Sequence, residues 1–368
     1  MELIEYKNCL YKTLQEIYPI YFKKKILRKM SEDGAIINDK RKNLNGQISM
    51  MINVSDIESI DDKLRYILKN SENEFCKGIY KYIEEFEYEK EYRNTSFFKI
   101  DGYSTNRLEK LIESGLVKRY IKNCNIYDDI NDKFINPTIK ETQDDLYIKF
   151  NHSLKNRHAE EIKYVIMAII HIKEKILEIR LDRVGAEYKN PNNDFYATMI
   201  DNTKKVVSKL FSINIINIDF KAVVNYMKDE KDEVYIYAQK MTRNGSVAYL
   251  EAVNNKETIN NEDLVIPILG ELKSFIKDNS ELLNKTNDTQ QIKLKLQNLI
   301  EEIEITSDLP KVKITWINEN IRVGIDHEYK GREYSFFMYY DELNEGKERM
   351  NHVREYLINC HRELENQT

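Results

Sequence analysis

Apolar residues at the start of the chain recur at helical spacing. Leu3, Tyr6, Leu10, Leu14 and Ile17 fall three and four apart, so they share one helix face. Pro19 interrupts that helix, since it has no amide hydrogen and its ring clashes with the preceding turn. The basic stretch YFKKKILRKM restarts it and SEDG ends it. After the polar loop NDKRKNLNGQ, a second helical block runs from about Asp61 to Tyr92. It carries Leu64, Ile67, Leu68, Phe75, Ile79, Tyr82, Ile83 and Phe86 on its apolar side.

From about Asp145 the period changes to two. DLYIKF alternates, and YVIMAIIHI (164–172) is apolar on both faces, which predicts a central buried strand. ILEIRLDR (176–183) alternates charge with apolar residues and predicts a half-exposed strand. DFYATMIDNTKKVVSKLF and FKAVVNYM predict helices. EVYIYAQKM and SVAYLEAV flank TRNG, where Asn244-Gly245 is the strongest hairpin signal in the chain. Helices follow from about Leu264 to Ile305, then a meander of KVKITWI, NIRVGIDHEY and EYSFFMYY, then a terminal helix in NEGKERMNHVREYLINCHRELE. Strands and helices interleave without a steady β-α-β rhythm, so the expected class is α+β with mainly antiparallel sheet. The expected layout is a mostly helical domain over 1–140 and a larger α+β domain over 141–368. A further division near 270–305 is left open.

Composition narrows the picture. Eleven glycines and five prolines in 368 residues favour long regular elements over loop-built structure. A net charge of −5 means that any nucleic-acid contact must be a local patch. No apolar run is long enough to span a bilayer. MELIEYKNCLYK lacks the basic start of a signal peptide, so a cytoplasmic chain without membrane contact is expected. Cys9, Cys76, Cys124 and Cys360 lie far apart without a CxxC pair, which implies free thiols and no zinc site.

RLEKLIESGLVKRYI (107–121) combines an amphipathic helix, a glycine stop and an extended basic run. Leu108, Leu111 and Ile112 would face a core, and Gly115 would close the helix in the left-handed conformation. This pattern resembles the helix-to-wing corner of winged helix-turn-helix domains, over about 74–135. The resemblance implies the shape more than DNA reading. Glu109 and Glu113 share the helix with Arg107 and Lys110, and Asp128, Asp129 and Asp132 lie in the wing, where carboxylates repel phosphates.

The densest basic cluster is Lys23, Lys24, Lys25, Arg28 and Lys29, with Lys40, Arg41 and Lys42 beyond it. Residues 24, 25, 28 and 29 share a helix face, a candidate contact for nucleic acid or an acidic partner. Glu178 and Asp182 share a strand face with Arg180 between them. Such carboxylates could hold Mg²⁺, but Arg180 makes them read better as an alternating-sign solvated face. His171 ends the buried strand and reads as a core residue. His352 and His361, nine apart, sit on opposite sides of a helix. GxGxxG, GxxxxGK[ST], GxSxG and HExxH are all absent.

The resulting expectation is a non-catalytic accessory or adaptor protein that binds protein partners in a nucleic-acid-associated bacterial system, of the defence or mobile-element kind. No cofactor is expected, and the oligomeric state is not readable. Two alternatives stand: a divergent Mg²⁺-dependent nuclease using Glu178 and Asp182, and a DNA-binding regulator acting through the winged helix.

Overall fold

The computed structural model describes residues 3–39, 51–71, 79–122, 130–131, 133–189, 194–243, 246–251, 267–306, 308–316, 321–340 and 347–367. Phe75, Cys76, Cys124, Lys40–Lys42, the three wing aspartates and the Asn244-Gly245 loop lie outside them. The chain forms two compact units. Unit 1 is Met1–Ile218 with Leu343–Asn351, and unit 2 is Asp219–Glu342 with His352–Thr368.

Unit 1 opens with α1 (Leu3–Glu16) and α2 (Ile20–Glu32), and Pro19 is the N-cap of α2, as the break in periodicity required. Short parallel strands β1 (Ile36–Ile37) and β2 (Ile52–Asn53) follow, then α3 (Ile60–Lys69) and α4 (Ile79–Glu89). Ser59 caps α3 by accepting from the Asp62 amide. Leu10, Leu14, Phe22, Ile26, Leu64, Ile67 and Ile83 are buried together in the core of this helical layer.

The remaining elements of unit 1 are β3 (Asn94–Asp101), α5 (Asn106–Glu113), β4 (Lys118–Arg119), β5 (Thr138–Glu141), β6 (Asp145–Lys155), β7 (Glu161–His171), β8 (Ile176–Leu181), α6 (Phe195–Phe211) and β9 (Asn214–Asn217). Their strands form one sheet in the order β9-β3-β8-β7-β6-β5-β4, antiparallel except for β4 with β5. β7 is the central buried strand that its two apolar faces predicted. Ile166 pairs with Phe150 on one side and Leu181 on the other, so this face is apolar. α6 packs on it, with the Phe195 ring 5.5 Å from that of Tyr164.

The opening corner keeps its local shape. Gly115 has φ +69°, and its N–H donates to the Ile112 carbonyl at 3.0 Å. The winged-helix arrangement itself is not formed among the described residues. A strand, β3, precedes α5 where the preceding helix of such a motif would stand, and β4 pairs in parallel with β5 instead of starting an antiparallel wing. Residue 140, where the expected layout changes domain, lies in β5, which pairs with β6 across a hairpin. There the Thr142 amide donates to the Asp145 carbonyl at 2.9 Å, and the chain divides at Ile218 instead.

Unit 2 contains α7 (Phe220–Glu230), β10 (Val234–Arg243), β11 (Ser246–Glu251), α8 (Pro267–Asp278), α9 (Ser280–Leu283), α10 (Asn287–Thr306), β12 (Asp308–Trp316), β13 (Ile321–Asp326), β14 (Phe336–Tyr339) and α11 (Glu348–Gln367), the last shared with unit 1 up to Asn351. Its antiparallel sheet runs β11-β10-β12-β13-β14. Arg243 pairs with Ser246, the spacing of the two-residue hairpin that Asn244-Gly245 predicted. One face packs under helices: Phe220 of α7 lies 4.9 Å from Phe337, and Tyr356 of α11 lies 5.4 Å from Trp316. Together the elements make an α+β fold with mostly antiparallel strands. Among the described residues, no helix is long and apolar enough to cross a membrane.

Candidate functional site

Two of the four cations on the basic helix face have carboxylate partners. Lys23 is buried and donates to Asp61 at 2.6 Å, which removes it from any outer contact. Arg28 pairs with Glu32 at 3.5 Å, Lys29 pairs with Asp33 at 3.0 Å, and the Lys25 ammonium lies 5.4 Å from the Phe86 ring centre. Lys24 is exposed. Of the four cations on the shared face, Arg28 and Lys29 have carboxylates four residues on, Lys25 lies against an aromatic ring and Lys24 is exposed, while Lys23 is withdrawn into an ion pair with Asp61.

Glu178, Arg180 and Asp182 do share a strand face, but that face is buried, not solvated. Each oxygen of Glu178 is taken. Arg180 Nε donates to Oε1 at 2.6 Å, while Arg180 Nη2 and His171 Nε2 lie 2.9 and 3.0 Å from Oε2. His171 Nδ1 lies 2.7 Å from Asp145 Oδ1, so this histidine is a satisfied core residue. Asp182 pairs with Lys90 of the segment after α4. The same face carries Lys149 and Lys163. Glu87 of α4 accepts from Lys149 at 2.9 Å and from Lys163 at 2.9 Å, and the Tyr18 hydroxyl donates to it at 2.7 Å. Helical elements thus cover the charged face and turn it into a closed ion-pair network. It leaves Glu178 no oxygen for a cation. Among the described residues, no group of His, Cys, Asp and Glu is arranged to hold a metal ion.

The two carboxylates titrate in opposite directions. Burial disfavours the charge on both. At Glu178 the Arg180 guanidinium and His171 outweigh it, and the carboxyl falls from 4.5 to about 2. At Asp182 burial outweighs Lys90 and raises the carboxyl. A depressed carboxyl contributes stability above its unfolded value and loses it on acidification, here between about 4.5 and about 2. That contribution is on the order of 3 kcal/mol. The urea midpoint should therefore drop across this range more steeply in the wild type than in Glu178→Gln. Parallel curves would mean that Glu178 is not held ionised by its neighbours.

The surface with accessible chemistry lies on unit 2, on the sheet face opposite α7 and α11. The ladder puts Lys313 of β12 beside Ala238 of β10 and Gly324 of β13. A bulge between Ile236 and Ala238 inserts Tyr237, and the extra residue brings its ring to Lys313. Tyr249 of β11 and Tyr340, just past β14, complete the group. The three ring centres lie 5.7, 5.5 and 5.5 Å from the Lys313 ammonium, and the Arg322 guanidinium lies 5.6 Å from the Tyr237 ring centre. Gly324 leaves the room Tyr340 needs: a Cβ there would meet its ring at 2.6 Å. Tyr249 and Tyr340 remain 50% and 43% exposed. Burial lowers the Lys313 ammonium, but hydrogen bonds to Tyr249 and Glu251 prevail and lift it to about 12, so it stays charged at neutral pH. Lys240 and Lys311 add to Lys313 and Arg322 on this face, against Glu251 and Asp326.

Sequence reasoning missed these residues. Each strand shows its share, with Tyr235 and Tyr237 in one and Lys311 and Lys313 in another, but only the strand order joins them. The two thiols in described segments are free and buried: desolvation lifts Cys9 to about 12 and Cys360 to about 11, which leaves little thiolate for chemistry. Compared with protein-family models, curated proteins and solved structures, the chain has no match.

Proposed function

We propose that the chain is a non-catalytic accessory protein that binds single-stranded nucleic acid on the open sheet face of unit 2, within an assembly that includes protein partners. The observation that carries this reading is Lys313 ringed by Tyr237, Tyr249 and Tyr340, with Arg322 beside them. Aromatic rings exposed on a sheet face suit unstacked bases, and the flanking cations suit a phosphate backbone. A duplex hides its base faces and gains only the phosphate contacts. The nuclease alternative loses its support where Glu178 and Asp182 are enclosed in ion pairs. The DNA-regulator alternative loses its support where the corner around Gly115 stands beside a sheet edge.

Fluorescence anisotropy with a labelled single-stranded oligonucleotide tests the proposal. Binding should appear at low salt, with log K falling by about 0.7 per contacted phosphate as log salt rises. Tyr237→Ala and Tyr340→Ala should each weaken it by about five- to a hundredfold, the loss of one base stack at 1–3 kcal/mol. Melting temperatures should change little. An oligonucleotide that fails to bind, or binds the alanine variants equally well, would overturn the reading and leave the face to an acidic protein.

A further inference from the structure

Helices α1 and α3 commit one side of each to the core of unit 1, where Leu10, Leu14, Leu64 and Ile67 are buried. Their outer side is concave. A groove of about 980 Å³ lies there, within the roughly 300–1,000 Å³ of small-molecule sites. Leu68 belongs to the core and forms the floor with Tyr11 and Ile57, which are partly buried against it. The walls follow helical spacing, with Ile4, Asn8 and Tyr11 on α1 and Asp62, Tyr66 and Lys69 on α3. Each wall is therefore two turns long, about 10 Å of helix axis. A concavity of that length is small beside a specific protein interface, which buries on the order of 1,200 Å² or more.

The side chains of the groove say what it takes. Two of its cations are already engaged: Lys12 pairs with Glu160 at 2.5 Å, and Lys7 is buried with an interaction of its own. Arg65 and Lys69 differ. Both are exposed, they stand four residues apart on α3, and neither has a carboxylate partner among the described residues. On α2, by contrast, Arg28 and Lys29 each have a carboxylate four residues on. Like charges at this spacing repel, and an anion between them relieves the repulsion. The Arg65 guanidinium lies 5.4 Å from the Tyr11 ring centre, which holds its donors over the floor. The Tyr66 ring is 44% exposed and meets no other ring among the described residues. Asp62 stands at the other end of the same wall. The wall thus has an acceptor at one end, cationic donors at the other and an open aromatic face. A nucleotide is its complement, with sugar hydroxyls that donate, a phosphate that accepts and a flat base that stacks. We infer that the α1–α3 groove is a nucleotide site, taking a nucleoside 5′-phosphate with its phosphate on Arg65 and Lys69 and its base on Tyr66. The inference is independent of what the unit 2 sheet binds.

Isothermal titration calorimetry on the full chain at low salt tests it, with adenosine 5′-monophosphate as the probe. Binding should saturate. Adenosine and inorganic phosphate should each bind at least about tenfold more weakly, since neither carries both recognised parts. Arg65→Gln with Lys69→Gln should weaken the monophosphate at least about tenfold, through loss of hydrogen bonds to a charged group. Tyr66→Ala should weaken it about fivefold or more, through loss of one base stack. All three side chains are exposed, so circular dichroism should match the wild type. Tyr340→Ala, on the unit 2 sheet, should leave the titration unchanged, which separates the groove from that face. The 5′-phosphorylated dinucleotide pApA identifies the source: equal binding points to a free nucleotide, tighter binding to the 5′ end of a strand. Monophosphate that does not bind, inorganic phosphate that binds as tightly, groove variants that bind like the wild type, or a loss confined to Tyr340→Ala would each overturn the inference.

Discussion

Glu87→Leu is expected to destabilise unit 1 by about 3–5 kcal/mol, the cost of breaking a buried ion pair from one side. Glu87 has no exposed surface, and both lysines it serves are buried. The variant takes this carboxylate from Lys163 and from Lys149, whose distance to Glu84 is 3.2 Å. The Tyr18 hydroxyl loses its acceptor as well. Such a loss is a large share of a typical total stability of about 5–15 kcal/mol. The network is not needed for stability as such. Removing its charges together, in Glu87→Leu with Lys149→Met and Lys163→Met, should recover most of the deficit, because apolar side chains of similar volume need no counter-charge. Urea denaturation followed by circular dichroism checks both variants. A single variant within about 1 kcal/mol of wild type would show that water reaches the lysines and screens them.

Ile166→Asp should prevent folding altogether. Ile166 is completely buried on the apolar face of β7, between Phe150 and Leu181, under α6. The residues paired with it on either side, Phe150 and Leu181, are apolar and give a carboxylate there no counter-charge. It must bury an unpaired charge or take up a proton, and it forfeits the apolar burial in both cases, a cost above about 4 kcal/mol. Ile166→Val, which only leaves a small cavity, should cost about 0.5–1.5 kcal/mol. The expected readout is aggregated Ile166→Asp protein beside a cooperatively melting Ile166→Val. A soluble, cooperatively melting aspartate variant would refute the placement of this strand. The other face of the same strand is less decisive, because Ile169 pairs with Glu178 near Arg180 and His171.

Local elements were legible because their causes are local. The three-and-four spacing of Leu10, Leu14 and Ile17, the break at Pro19, the two-residue spacing between β10 and β11 and the left-handed Gly115 all arise within a few residues of themselves. The winged-helix resemblance shows the limit of that reasoning. The corner formed, but what stood before it was a strand, and a local pattern does not specify its neighbours in space. The Glu178–Asp182 strand shows a second limit. Alternation of charged and apolar residues correctly separates the two faces of a strand, but which face meets water depends on what packs over it. Here a helical layer brought Glu87 and Lys90 onto the charged side, from positions about ninety residues earlier in the chain.

The sequence by itself determined the class, the central strand and the helix breaks, because each rests on periodicity or on the backbone limits of proline and glycine. Only the tertiary structure decided that Lys23 is withdrawn into an ion pair with Asp61, that the charged strand face is sealed, and that tyrosines from β10, β11 and the end of β14 gather around Lys313. Those outcomes depend on strand order and register. A one-residue slip in either would turn the same side chains to the opposite face, and no spacing within a single segment constrains that choice.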